Sequence, residues 1–328
     1  MNYDETKRSF TSLFKHEMSD EVMREFLLNM KLDENTSVES IAAAAEVMRS
    51  FAVALPVKDE LRPKLLDVVG TGGDKIGSFN ISSTVALLSA SCGSMVSKHG
   101  SRSITSKSGS ADMFEELGVR LDLSIQNSAK LLEESGFTFM FAQNHHPAMK
   151  FIVPVRKTIP EKTIFNILGP LTNPAGAQKS LLGVFDKAFV PKMAEALRMN
   201  GATSAMVVSS AEGMDEISIS DVTYASQLRD GELREFVIDP QEYGIKKVPL
   251  EAIIGGDAKL NAQILHNIFD GSSTDAQRDV VFINTAAALV VDGLARDIQE
   301  GLEMATEAIK NNRAKKKLRQ IVEISNKL

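Results

Sequence analysis

The chain has 328 residues, enough for one large domain or two modest ones with ample core. Its 37 Lys and Arg against 43 Asp and Glu leave a formal net charge of -6, which excludes a global basic field for nucleic acid. A single cysteine excludes an internal disulfide framework; with no signal-peptide core and no apolar run near about 18 residues, a cytoplasmic protein with no membrane contact is expected.

Residues 1 to about 62 read as helices. Phe10, Leu13 and Phe14 recur at helical spacing, and so do Val22, Phe26 and Leu27. Ser19 before Asp20 and Glu21 is an N-cap followed by acids in the first turn. Residues 37–50 give another amphipathic helix, with Ile41, Ala42, Ala45 and Met48 on its apolar side. These faces need partners beyond so short a segment: each other, the rest of the chain, or a second subunit.

From about Leu65 the pattern alternates. Strands are expected at 65–69, 95–97, 137–142, 181–184 and 205–209, and helices at 83–90, 111–117, 128–135 and 191–199. This rhythm argues a largely parallel α/β sheet. Residues 224–237, with Asp230-Gly231 at the centre, read as a hairpin. Helices follow at 258–269, 277–291 and 298–310, and a last one starts within 311–317. Its Lys315-Lys316-Lys317 run reads as a solvated face. Cys92 lies in an apolar helical run and reads as a packed thiol.

Two strand ends carry the chemistry. The first breaks into Gly70-Thr71-Gly72-Gly73-Asp74, and the hydroxyl-rich turn Asn80-Ile81-Ser82-Ser83-Thr84 opens the next helix. The second runs into Lys98-His99-Gly100 and a segment, 101–110, with five Ser. Glycine lets the backbone approach an anion, amides and hydroxyls donate to it, and lysine adds a point charge, so the two loops describe a phosphate pocket. Lys98 is expected at the mouth of its strand, facing the first loop. Lys75 stands where a dinucleotide fingerprint needs its third glycine, and no G-x-x-x-x-G-K-[ST] loop is present. A nicotinamide-dependent dehydrogenase therefore fails. Asp215 and Glu216, adjacent carboxylates past the 205–209 strand, suit magnesium, which takes oxygen ligands and keeps waters. No Cys/His cluster suits zinc. His145 and His146 read as packing and pocket edge. Arg156 is placed to take a carboxylate by a bidentate fork, or else to pair with Glu161 at the surface. His99 reads as a helper that orients its loop rather than as a base. The amide-rich turn 166–174 reads as a crossing between lobes. No Ser/His/Asp or Cys/His arrangement for covalent catalysis emerges.

Together, the motifs at 70–74, 80–84, 98–100, 108–112, 155–156, 165–174 and 213–216 resemble the anthranilate phosphoribosyltransferase family over nearly the whole chain. The resemblance implies an α/β fold of the nucleoside phosphorylase/phosphoribosyltransferase type. A small N-terminal helical lobe (1–64) would form a homodimer interface. A larger α/β lobe (65–328) would have a central, mostly parallel sheet, and a segment near 160–180 would return to the helical lobe. It implies a magnesium-dependent transfer of the 5-phosphoribosyl group from 5-phosphoribosyl-1-diphosphate (PRPP) to the anthranilate amine, with two Mg2+ per subunit. Gly70, Thr71, Gly73, Asp74, Ser78, Asn80, Ser82, Ser83, Lys98 and Ser110 would bind PRPP. Gly70, His99, Gly100, Ser101 and Arg156 would bind anthranilate. Ser82, Asp215 and Glu216 would hold the metal. Ser101 departs from the family's usual Asn, and Ser83 from a common Thr.

Two further readings share the architecture. A pyrimidine nucleoside phosphorylase would not need the 213–216 motif or Arg156. A non-catalytic nucleic-acid-binding relative would need a basic groove and would have no use for Asp215 and Glu216.

Overall fold

The computed structural model describes residues 1–102 and 107–328. The chain opens with α1 (Tyr3–Phe14), α2 (Asp20–Asn29) and α3 (Val38–Ser50). Each start is capped as its sequence dictates: Asn2 and Glu5 form a reciprocal box, Ser19 Oγ accepts from Val22 N–H at 3.3 Å, and Ser37 Oγ accepts from Ser40 N–H at 3.2 Å.

The alternating region follows as β1 (Leu65–Gly70), α4 (Ile81–Cys92), β2 (Met95–Gly100), α5 (Ser110–Glu116), α6 (Ile125–Ser135) and β3 (Phe137–Phe141). Short helices α7 (Ala142–His145), α8 (Met149–Arg156) and α9 (Phe165–Leu168) lead to β4 (Lys179–Gly183), α10 (Val190–Met199) and β5 (Ser204–Ser210). β6 (Thr223–Arg229) and β7 (Glu232–Ile238) form the expected hairpin, with Asp230 and Gly231 both at positive φ (54° and 80°). Helices α11 (Ala258–Asp270), α12 (Asp275–Asp292), α13 (Ile298–Lys310) and α14 (Arg313–Lys327) complete the chain. None of the helices is long and apolar enough to cross a membrane, among the described residues.

The sheet order is β3-β2-β1-β4-β5-β6-β7. The first five strands are parallel and the hairpin joins β5 antiparallel. Alternation divides the buried strand residues between two cores. Leu66, Val68, Leu181, Met206 and Val208 pack on α4, α11, α12 and α13. Val69, Leu182, Val184 and Val207 pack on the opposite side with Phe10, Leu27 and Ile41 from α1–α3 and Ile152, Phe165 and Leu168 from α8 and α9. The partners that the N-terminal apolar faces need are therefore the 152–171 segment and α10, whose Val190, Met193 and Ala194 lie in the same core. Phe10 alone, fully buried against Phe26 and Phe165, contributes roughly 2–3 kcal/mol.

β4 is laid beside β1 after the chain has gone out to β3, so the direction of winding reverses between these two strands. Ligands of open α/β sheets bind at the carboxyl ends of strands at such a reversal. The loop after β1, the end of β4 and the 211–216 loop after β5 all meet there.

The terminal basic run is engaged rather than free: Lys315 Nζ lies 2.7 Å from Asp270 Oδ1, and Lys317 Nζ donates to Ser135 O at 2.7 Å, satisfying the end of α6.

Candidate active site

The loop leaving β1 adopts a run of left-handed conformations at Gly72, Gly73, Lys75 and Gly77 (φ 65°, 77°, 63° and 78°). Thr71 N–H donates to Gly183 O at 3.0 Å and its Oγ1 accepts from Phe185 N–H at 3.2 Å, which ties the loop to the end of β4. Ser78 bridges Ile254 on the far side of this loop. At the start of α4, Asn80 does not cap the helix. Its side chain instead donates to Ser108 O (3.3 Å) and accepts from Ser108 Oγ (3.2 Å) and Asn261 Nδ2 (2.8 Å). Asn80 thus leaves the first amides of α4 without an N-cap, and the Ser82 amide faces the Glu216 carboxylate, as a helix start favours an anion. Ser83 Oγ is buried without a partner among the described residues.

The carboxylates gather opposite that helix start. Gly72 N–H donates to Asp215 Oδ2 at 2.6 Å. Burial, reinforced by the neighbouring Asp74 carboxylate, pushes Asp215 up to about 6. Burial and the Asp215 charge push Glu216 well above the usual carboxylate range, although Lys98 and the Ser82 amide pull the other way. The buried Asp215 and the half-buried Asp74 and Glu216 carboxylates repel one another, and the charge of a divalent cation would remove that repulsion. Among the described residues, no group of three or more His, Cys, Asp or Glu is arranged to hold a metal ion. As oxygen donors, Asp215 and Glu216 suit Mg2+ that keeps waters and takes its remaining ligands from phosphates.

Lys98 does not stand at the strand mouth. It is 1% exposed, and its Nζ donates to Val68 O at 2.6 Å and approaches Ser82 Oγ at 3.3 Å. Burial pulls its pKa down, against the charges of Asp67, Glu216 and Asp215. His99 is buried and held neutral, its pKa lowered to about 3 by burial and by His146 and His145. That makes His99 a poor base and agrees with an orienting role. Its ring lies 5.2 Å from that of His146, and His99 Nε2 and both ring nitrogens of His146 have no hydrogen-bond partner among the described residues. Burial also lowers His146 to about 4. His145 is structural: its Nδ1 lies 2.7 Å from Val53 O.

Arg156 ends α8. Its guanidinium lies over the Phe165 ring at 5.0 Å, and burial alone lowers its pKa. No carboxylate of the described residues pairs with it, because Glu161 is taken by Lys31 at 2.7 Å. A desolvated cation without an internal anion fits a carboxylate ligand. Gly100 leaves the space that a Cβ would fill, 2.8 Å from the Phe139 ring. Ser101 Oγ donates to Arg102 O at 3.0 Å, while Ser110 begins α5 and its Cβ faces Gly100. Of the hydroxyl-rich 101–110 segment, residues 103–106 lie outside the described residues.

Four residues of this region were not singled out from the sequence. Asp67 is buried beneath the second strand end, accepting from His99 N–H (3.2 Å) and from Asn173 Nδ2 (2.7 Å). The signal was a charged residue inside the apolar run 65–69, costly to bury without purpose. Gly183 touches Asp215, and a glycine inside a strand marks a close backbone approach. Lys162 places Nζ 3.2 Å from the Phe185 ring centroid and 3.2 Å from Gly73 O, joining the 152–171 segment to the glycine loop. Asn261 reaches Asn80 from a helix 181 residues away, and nothing local announces it.

The model of the glycosyl transferase family, a/b domain, matches residues 62–315. An anthranilate phosphoribosyltransferase of Xanthobacter autotrophicus is 42% identical over 325 residues, 99% of this chain and 93% of that protein. One from Persephonella marina is 40% identical over 99% of this chain and 95% of its own length. Among solved structures, the anthranilate phosphoribosyltransferase of Thermus thermophilus superposes with a TM-score of 0.90 at 34% identity, covering 99% of this chain and 96% of that one. The Saccharomyces cerevisiae enzyme in complex with PRPP and Mg gives 0.87 at 26% identity, covering 99% and 93%. A parallel sheet reversing between β1 and β4, carboxylates facing an uncapped helix start, and these full-length likenesses place the chain in the anthranilate phosphoribosyltransferase family.

Proposed function

We propose that this chain transfers the 5-phosphoribosyl group of PRPP to the anthranilate amine, giving N-(5-phosphoribosyl)anthranilate and diphosphate. The observation that carries the reading is the set Asp74, Asp215 and Glu216 brought around the uncapped start of α4 with Lys98 beneath it. That arrangement suits a diphosphate with bound cations better than a single phosphate.

Gly70, Thr71, Gly73, Asp74 and Ser78 would line the phosphoribosyl site. Asn80, Ser82, Ser83, Lys98 and Ser110 would donate to the phosphates. Asp215 and Glu216, with Ser82, would hold Mg2+, two ions per subunit. When bound, Mg2+ neutralises charge on the departing diphosphate. The amine nitrogen bonds to C1 as the C1–O bond to diphosphate breaks, and the amine proton leaves to solvent or diphosphate. An aromatic amine is already a neutral nucleophile, so the barrier lies in separating diphosphate from an oxocarbenium-like sugar. Positioning and fixed charge supply the rate, and no general base is required. Arg156 would hold the anthranilate carboxylate, with His99, Gly100, Ser101 and the edge of Gly70 around the ring.

The proposed division is a helical lobe, 1–64, joined by residues near 160–180, and an α/β lobe, 65–328. The helical lobe would form a homodimer. Val22 of this lobe is exposed (52%), and Phe151 of α8 (40%) stacks on His16 of the lobe, which supports an apolar face there. A cytoplasmic location fits a biosynthetic enzyme of this family.

The test is to mix the protein with anthranilate, PRPP and Mg2+ and follow loss of anthranilate fluorescence, free of tryptophan background because the chain has none. Loss that needs all three components supports the reading. No loss, in protein shown to bind PRPP, assigns another acceptor.

A further inference from the structure

β1 and β2 are adjacent parallel strands, yet they keep register only at Leu65↔Met95 and Leu66↔Val96. β1 holds β4 over five pairs, and β2 holds β3 over five. Continued at that register, the next rung would pair Val68 N–H with Ser97 O and His99 N–H with Val68 O. Those groups are diverted to other partners. His99 N–H goes to Asp67 Oδ1 at 3.2 Å. Ser97 O accepts Asn173 Nδ2 at 2.8 Å, and the same Nδ2 donates to Asp67 Oδ2 at 2.7 Å. Val68 O, released from the ladder, accepts Lys98 Nζ at 2.6 Å. Asn173 is itself fixed, its Oδ1 accepting from Ala175 N–H at 2.9 Å.

We propose that Asp67 and Asn173 form a wedge that holds β1 and β2 apart, so that the freed Val68 carbonyl orients the Lys98 ammonium toward Ser82 at the start of α4. Both are positioning residues, since neither touches the bound substrates in the function proposed above, and the inference rests on that function for what Lys98 then binds. Asp67 and Asn173 are buried, 1% and 6% exposed, and the Asp67 carboxylate, favoured by the Lys98 charge but without an ion pair at contact distance, is retained at a cost that such work offsets. The wedge explains why the 166–174 turn, 106 residues from Asp67, carries an amide at this position. It also couples the two substrate sites, because the His99 main chain hangs from the same carboxylate.

The test uses the full-length protein with Asp67→Asn, Asn173→Asp, the double exchange, and Asn173→Ser. Asp67→Asn turns one amide against another, and Asn173→Asp sets two carboxylates together. The double exchange restores donor to acceptor between them while leaving Ser97 O without its donor, so recovery is partial. Each single exchange should weaken PRPP–Mg2+ binding, read by calorimetry, by about tenfold or more, and the double should recover about threefold or more over the worse single. Singles that bind like the parent, or a double no better than its worse single, overturn the proposal. Asn173→Ser keeps a hydrogen-bonding group but cannot span Asp67 and Ser97. Its crystal structure should show His99 N–H on Val68 O and Lys98 Nζ displaced, whereas an unchanged splay overturns the wedge. This structural arm decides the proposal even if the other variants fail to fold. It is also independent of the functional reading, which fails separately if the parent protein does not bind PRPP–Mg2+.

Discussion

Gly183 and Asp215 are in contact through a gap that only glycine leaves: a Cβ at 183 would lie 1.6 Å from the Asp215 carbonyl oxygen. Gly70 stands in the same relation to the Asp215 side chain, with its notional Cβ 2.2 Å from Oδ2. The carboxylate is thus seated between the ends of β1 and β4 by the absence of two side chains.

Gly183→Ala should therefore displace the 211–216 loop. An overpacked site of this kind costs about 1–3 kcal/mol in stability, and a displacement of about 1 Å costs roughly a hundredfold in rate. The check is turnover against Mg2+ concentration in protein whose circular dichroism remains native. Parental kinetics would mean that the loop gives way without harm.

Asp215→Asn with Glu216→Gln should reduce Mg2+-dependent turnover by about a hundredfold or more while leaving the fold intact. For Asp215→Asn alone, a pH dependence of stability follows. The folded pKa of Asp215, about 6, lies above its ordinary value of 3.8, so the charged form is penalised on folding. Stability contributed by the protonated group is present below about 4 and is lost as pH rises through about 6. Without metal, Asp215→Asn should unfold at a higher temperature than the parent above pH 6, by an amount equivalent to about 3 kcal/mol, with the gap closing toward pH 4. A constant difference across that range would mean that the carboxylate does not titrate there.

Arg156→Ala should raise the KM for anthranilate by about tenfold or more and leave that for PRPP within about threefold. Loss of the contact over Phe165 should lower stability by only about 0.5–1 kcal/mol. Equal changes in both KM values would make Arg156 a structural residue.

Ser101→Asn lengthens the side chain that now bonds Arg102 O. Activity should hold, and the KM for anthranilate should stay level or fall, because an amide carbonyl would reach the ring amine that a hydroxyl meets through water. A collapse in kcat with a native fold would show a differently built pocket, and steady-state kinetics on both substrates decides it.

Local chemistry was legible along the chain. The 3.6-residue spacing of Phe10, Leu13 and Phe14, the cap at Ser19, the Asp230-Gly231 turn and the alternation of strand and helix are short-range properties, and the structure bears out the mixed fold that they imply. So are the glycine and hydroxyl loops after β1 and β2, because a chain that must approach an anion closely needs glycine whatever surrounds it. The tertiary structure alone decided that Lys98 points inward, that Asn80 accepts from Asn261, that Arg156 lacks an internal anion among the described residues, and that Asp67 and Asn173 sit together between β1 and β2. Each of these depends on groups distant in sequence: Val68 and Ser82 around Lys98, Asn261 of α11 at Asn80, and Asn173 at Asp67. Sequence periodicity records which face of an element is buried. It does not record which distant element covers that face, and burial by that element is what shifts Asp215, Glu216 and His99 from their ordinary ionisation.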